Sequence, residues 1–347
     1  MRTSGVRNVL LVLLIAIVMV FAVSCSKKAE PQAAAGPATQ AKSAEKIVLK
    51  FGGVNNSTHP AIRAMNEVFK PRVEELTGGR VEVQVFDNAQ LGGERDMMEQ
   101  LQAGVLHMAY ISPIFATVDP AINVMDLPFL FADAAHVDKV IDGGIGMDLL
   151  KDLPAKGLVP LAYYENGFRV VTNSRKPIVS LADLKGMKIR TPEAPISVAI
   201  FSALGANVTP LSFGELYSAL QQKVVDGQEN AYNTVASSRF FEVQKYVTET
   251  NHMWGAYVVM ASGKWWNTID KEAQEAIRSA ALESSKYQRE LFRSQTADSK
   301  KMAVDGGMEV SLPNIEEFRA AVSTVYDNFY KQYPQYKQIV EQIQALR

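Results

Sequence analysis

Leu181-Ala182-Asp183-Leu184-Lys185-Gly186-Met187-Lys188-Ile189-Arg190-Thr191-Pro192 is the stretch on which the fold turns. Ser180 and Asp183 stand at capping-box spacing, so a one-turn helix begins after Ser180, and Gly186 stops it. Residues 187–190 then read as a short strand. Pro192 has no N–H to give to a ladder and ends the pairing. Ligands of open α/β sheets bind beyond the carboxyl ends of the strands, which is where Arg190 stands. Its planar fork can hold a carboxylate through two parallel hydrogen bonds, which a lysine cannot do. Taken alone, such an arginine serves equally well as a surface ion-pair residue.

Outward from this unit, strands and helices alternate. Ile47-Val48-Leu49-Lys50-Phe51 reads as a strand, and the loop through Asn55-Asn56-Ser57 leads to a helix. Ile62, Met65, Phe69 and Leu76 form that helix's apolar face, Pro71 kinks it, and Thr77-Gly78-Gly79 stops it. Val81, Val83 and Val85 alternate with polar residues as in a strand. Gly92-Gly93 opens a helix carrying Met97, Met98 and Leu101, and Met108-Ala109-Tyr110-Ile111 is a buried strand. The pattern continues as helix 135–152, strands 158–164 and 168–172, and helix 213–222 behind a Ser212/Glu215 capping box. A strand over 256–261 precedes a long charged helix over 270–302. The alternation predicts an α/β architecture with largely parallel sheets, and a helix of that length spans more than one domain.

The bulk properties exclude several classes. Among 347 residues the formal net charge is −1, so no general attraction to nucleic acid is expected. Neither a G-x-S-x-G elbow nor a phosphate-binding loop is present, and Gly143-Gly144-Ile145-Gly146 lacks the third glycine of a dinucleotide fingerprint. His59, His107, His136 and His252 are scattered without metal-ligand spacing, and read as structural or surface residues. No catalytic residue, metal or cofactor is expected. The only cysteine, Cys25, follows a basic head (Arg2, Arg7) and an apolar run from Val9 to Val23. Residues 1–25 therefore read as an export signal. Residues 26–46 lack the apolar side chains to order themselves and read as a disordered tether.

Three blocks concentrate the remaining signal: Glu165-Asn166-Gly167-Phe168-Arg169-Val170-Val171-Thr172-Asn173, the stretch quoted first, and Val225-Asp226-Gly227-Gln228-Glu229-Asn230-Ala231. Together with Gln90-Leu91-Gly92-Gly93-Glu94-Arg95-Asp96 and Asp126-Leu127-Pro128-Phe129-Leu130-Phe131, they closely resemble the DctP-like solute-binding proteins of tripartite ATP-independent periplasmic (TRAP) transporters. The resemblance covers roughly residues 47–337. Ala22-Val23-Ser24-Cys25 resembles a lipobox, with Ala22 where leucine is usual, and implies that Cys25 carries a lipid. One departure is His107, in a stretch where the family often has an acidic residue.

The resemblance implies a two-lobed periplasmic-binding-protein-like α/β fold with a ligand cleft and a long helix spanning both lobes. Lobe 1 would comprise 47–167 plus 255–263, and lobe 2 would comprise 168–254 plus 304–347, with the C-terminal tail packed on its own lobe. Arg190 inherits the carboxylate clamp, Arg169 the second arginine, and Asn230 the asparagine that helps hold the same carboxylate. Asn56 and Glu94 would reach the ligand from lobe 1 when the hinge closes. Tyr232 and Trp254, with Tyr110, Tyr163 and Tyr164, would suit a polyhydroxylated ring, and would serve equally as core. The implied ligand is a small carboxylate: a sugar acid such as a uronate, a C4-dicarboxylate, or another organic acid. The implied partners are the small and large TRAP membrane subunits, with the protein held outside the cytoplasm, in the periplasm or on the cell membrane's outer face, through its lipid. The rival readings are a sensing lipoprotein serving a signalling receptor, an enzyme using Glu94 or Glu229 as base, and the binding component of an ATP-driven importer.

Overall fold

The computed structural model describes residues 46–347; the leader, Cys25 and nearly all of the tether lie outside the described residues. Among the described residues eleven strands form two sheets. They are β1 (Ile47–Gly52), β2 (Val81–Phe86), β3 (Met108–Ile111), β4 (Leu158–Phe168), β5 (Val170–Asn173), β6 (Lys188–Thr191), β7 (Asn207–Pro210), β8 (Gly227–Asn230), β9 (Tyr246–Thr248), β10 (Trp254–Ser262) and β11 (Glu309–Ser311). The first sheet has the order β2-β1-β3-β10-β4, and the second β11-β9-β5-β8-β6-β7.

Both sheets are mixed, and the expectation of largely parallel sheets is corrected here. β10 runs antiparallel to β3 and β4, and β5 antiparallel to β8 and β9. Each is the first strand after the chain crosses from one sheet to the other. The first crossing takes a single residue, Arg169, between β4 and β5, and the second runs from Thr248 to Trp254. Arg169 therefore sits at the crossover between the sheets, its N–H donating to Met253 O at 2.9 Å.

Several local readings change with the structure. The helix expected over 135–152 breaks after Ile141, because Gly144 adopts φ 95° and ends the turn. Pro71 does not kink the first helix by itself. Residues Met65–Phe69 form a wider π-helical turn, and the α-helix resumes at Lys70 with Pro71 in its first turn, where its missing N–H leaves no gap. Ser180 and Asp183 form their capping box. Ser212 instead donates its hydroxyl to Glu215 at 2.6 Å and leaves the helix's backbone uncapped. The C-terminal helix Lys337–Ala345 does not confine itself to the second sheet's side. Ile343 O meets His136 Nε2 at 2.7 Å, and Arg347 donates to the carbonyls of Phe129 and Leu130. Its apolar residues Val340 and Ile343 belong to the same buried core as Leu127, Phe129, Leu130, Phe131 and Val137.

The long helix runs Lys271–Asp305, with Asp270 as N-cap accepting from Ala273 N at 2.9 Å. Its early alanines, Ala273, Ala276, Ala280 and Ala281, are buried, and the smallness of their side chains allows close packing on the first sheet's side. Further along, Arg289 and Arg293 bind Asp138, and Arg293 Nε donates to Glu165 at 2.7 Å. Asn233 Nδ2, from the second sheet's side, donates to Phe292 O at 2.9 Å. The helix thus braces both halves. No helix among the described residues is long and apolar enough to cross a membrane.

Candidate functional site

Where the sheets face each other, a narrow cavity is lined from both. Arg169, Arg190, Pro192, Phe213 and Asn230 come from the second sheet's side. Val54, Glu94, Ser112, Pro113, Asn166 and Tyr257 come from the first. A roomier groove beside Thr58 and Ser237 has two charged residues in its lining, Arg239 and Asp298, and both are exposed. The narrower cavity is the candidate because two buried guanidiniums converge on it.

The two arginines are held differently. Arg169 is 2 % exposed and forms a buried ion pair with Glu229, through Nε to Oε2 and through Nη2 to Oε1 at 3.0 Å. The same Nη2 donates to Asn230 Oδ1 at 3.1 Å. Antiparallel pairing places Val170 opposite Asn230, which brings residues sixty positions apart into one network. Burial alone would push the Glu229 carboxyl up, but Arg169 and His252 hold it down to about 2. His252 stands 3.4 Å from Glu229 Oε2, and its other ring nitrogen meets Thr250 Oγ1 at 2.7 Å. The charge of Arg169 is therefore cancelled from within the fold.

Arg190 is equally buried, yet forms no ion pair among the described residues. Nε and Nη2 both donate to Leu211 O, at 2.9 and 2.7 Å. Glu229, Glu94 and Glu193 act on it only across space, and burial pushes its pKa down to about 10. A buried cation with one carbonyl as its hydrogen-bond partner and the Phe213 ring 6.0 Å away is energetically expensive, and an anion in the cavity would relieve that expense. Opposite it, Glu94 accepts from Ser112 N at 2.8 Å. Solvent reaches part of this side chain, but desolvation of the carboxyl outweighs the pull of the two arginines and raises its pKa to about 7.

Of the residues singled out from sequence, Arg190, Arg169, Asn230 and Glu94 come together here. Asn230 donates to Gln228 Oε1 at 2.6 Å, which leaves its second amide N–H for a ligand. Asn56, Tyr232 and Trp254 do not line the cavity. Asn56 reaches across the cleft instead, its Nδ2 donating to Ser237 O at 2.7 Å. Tyr232 donates to Glu249 and Trp254 to Glu165, each placed by a polar partner away from the arginines. Tyr110 binds Asn55, Tyr163 binds Gly146 O, and Tyr164 binds Ser284. Sequence reasoning passed over Ser112, Asn166, Phe213 and Tyr257. Asn166 alone carried a signal, as the residue before Gly167 in the Glu165–Asn173 block.

Further contacts join the halves around the cavity. His59 Nε2 lies 3.3 Å from Thr234 Oγ1, and Arg95 lies 3.6 Å from Glu193. With Asn56 and Ser237 they describe a closed cleft.

Residues 51–333 match the family model for the bacterial extracellular solute-binding proteins, family 7, known as DctP. The 2,3-diketo-L-gulonate-binding periplasmic protein YiaO of Escherichia coli is 37% identical over 297 residues, which covers 83% of this chain and 88% of that one. Among solved structures, a sugar acid binding protein from Advenella mimigardefordensis in complex with galactonate superposes with a TM-score of 0.83. It is 34% identical, over 87% of this chain and 98% of the other. A TRAP periplasmic solute-binding protein from Haemophilus influenzae with bound L-gulonate gives a TM-score of 0.84 at 31% identity, over 87% and 100%.

Proposed function

The chain belongs to the DctP family of bacterial extracellular solute-binding proteins, and from that membership we propose that its cleft captures a sugar acid for the membrane subunits of a TRAP transporter. The observation that carries the ligand class is the charge count in the cavity. Arg169 is paired with Glu229, whereas Arg190 forms no ion pair among the described residues and feels Glu229, Glu94 and Glu193 only across space. One carboxylate completes the set. A C4-dicarboxylate would bring two negative charges to one unmatched cation, with Glu94 beside it. The ligands named for the similar proteins, galactonate and L-gulonate, each carry one carboxylate on a hydroxylated chain.

Capture follows from hinge closure. The acid meets Arg190 and Asn230 on the second sheet, and the first sheet closes over it with Glu94, Ser112 and Tyr257. Asn56–Ser237, His59–Thr234 and Arg95–Glu193 then join the halves. The ligand shifts the equilibrium by its differential affinity for the closed form, and no covalent step is involved. The membrane subunits read the closed form. Cys25 carries the lipid that holds the protein outside the cytoplasm.

A thermal-shift screen against D-galactonate, L-gulonate, D-galacturonate and succinate tests the ligand class. A ligand that binds only the folded state raises apparent stability by mass action. A shift with at least one sugar acid, absent in Arg190→Ala, is expected. A shift with succinate alone overturns the reading. Mass spectrometry of the membrane-extracted protein checks the lipid on Cys25.

A further inference from the structure

We infer that Asn166 is a specificity-determining residue: its side-chain amide reads one hydroxyl of the bound acid, and so separates sugar acids from carboxylates of the same length without that hydroxyl. This rests on the sugar-acid reading above and adds a residue that the motif resemblance did not assign.

The first ground is backbone geometry. The pairing of β4 with β10 is interrupted twice, once at Leu161 and once near the end of β4, where Gly255 pairs with Gly167 but Ala256 pairs with Glu165. Asn166 is the extra residue of a β-bulge. Bulges re-aim a side chain and are over-represented beside functional sites. Two glycines make room for this one. Gly167 adopts φ 81°, and a Cβ on it would meet the Phe292 ring at 2.4 Å. A Cβ on Gly255 would stand 3.3 Å from Asn166 Cβ and 3.5 Å from Arg169 Nη1. The bulge thus places the amide in the cavity wall beside the Arg169 guanidinium.

The second ground is an unmet hydrogen bond. Asn166 is 4 % exposed and lines the cavity. Nδ2 donates to Ser112 Oγ at 3.1 Å, while Oδ1 is buried with no partner. Buried polar atoms are nearly always satisfied, and this acceptor, on a residue that lines the cavity, lacks a donor. A carboxylate cannot donate to it, whereas a hydroxyl can. Ser112 ties the amide to Glu94, whose Oε1 accepts from Ser112 N. The first sheet's wall therefore reads hydroxyls while the second holds the carboxylate.

The test is a protein–ligand cycle by calorimetry on the full chain. The tightest binder among D-galactonate, L-gulonate and D-galacturonate is compared with its deoxy derivatives, each lacking one hydroxyl, in the wild type and in Asn166→Ala. Leaving a buried polar atom unpaired weakens binding by roughly 5- to 150-fold. The wild type is expected to reject every derivative whose hydroxyl it reads by at least about fivefold. In Asn166→Ala, one derivative is expected to bind as well as the parent acid, and that derivative identifies the hydroxyl. If every derivative keeps the same penalty in the variant as in the wild type, the inference is overturned. Asn166→Leu, of closer volume, provides the same cycle if the alanine variant is unstable. A wild type that binds none of the three acids contradicts the sugar-acid reading itself, which is a separate outcome.

Discussion

Replacing Arg190 by methionine should stabilise the ligand-free protein and cripple its binding at once. The side chain is buried, and among the described residues its one hydrogen-bond partner is Leu211 O, with the Phe213 ring 6.0 Å from the guanidinium carbon. Burial takes its pKa from the ordinary 12.5 to about 10, which corresponds to about 3 kcal/mol of unfavourable free energy on folding. The sign is unambiguous. A base whose folded pKa lies below its unfolded one carries that burden in full at neutral pH, and sheds it only as pH rises past about 10. Methionine removes the charge and keeps much of the apolar stem. It also strips Leu211 O of its donors, a loss of about 1–2 kcal/mol. The ligand-free variant should therefore melt higher, by about 2–4 °C. Binding should move the other way. Removing one partner of a buried charge pair leaves the ligand's carboxylate unpaired, at about 2–5 kcal/mol, or roughly 30- to 5,000-fold in Kd. Differential scanning calorimetry and titration calorimetry on the same preparation read both. A lower melting temperature with parent-like affinity would refute the reasoning, because Arg190 would then be a structural cation.

Three further outcomes follow from the same geometry. Glu94 shares the cavity with the incoming carboxylate and titrates at about 7, so its ionised form opposes binding. Affinity should rise by up to about tenfold as pH falls from about 8 to about 6, with proton uptake visible in buffers of different ionisation enthalpy. Glu94→Gln should flatten the slope, and a pH-independent Kd in the wild type would count against the assignment. As an acid raised above its unfolded pKa, Glu94 also weakens the ligand-free fold above about 7, a burden relieved as pH falls toward 4.5. Gly167→Ala must force both a φ of 81° and a contact of 2.4 Å with Phe292, so chemical denaturation should show a loss of at least about 2 kcal/mol. Asn56→Ala removes a cross-cleft hydrogen bond and should weaken binding about fivefold, with the ligand-free melting temperature nearly unchanged.

The parts of this molecule that were legible from sequence are those set by near neighbours. The cap at Ser180, the stop at Gly186 and the end of pairing at Pro192 placed Arg190 at a strand end with a dozen residues of context. The alternation of strand and helix predicted the α/β class, and the length of the helix ending at Asp305 predicted a brace across both halves. What was illegible depends on pairing between distant segments. That Glu229 cancels Arg169, and leaves Arg190 unmatched, follows only from the β5–β8 register. That Asn166 bulges follows only from its register against β10, about ninety residues later. Tyr232 and Trp254 have the chemistry of a sugar platform, but Glu249 and Glu165 turn their polar ends elsewhere. The glycine pair at 143–144 was noticed as a failed nucleotide motif, while its effect, breaking a helix, went unread.

The most direct test of the central claim is a calorimetric competition between a sugar acid and succinate for the wild-type cleft. One unmatched cation predicts a single site, filled by the sugar acid, with succinate at least about a hundredfold weaker because its second carboxylate finds no partner. Equal or tighter binding of succinate would mean that the cavity supplies a second cation, and would contradict the account.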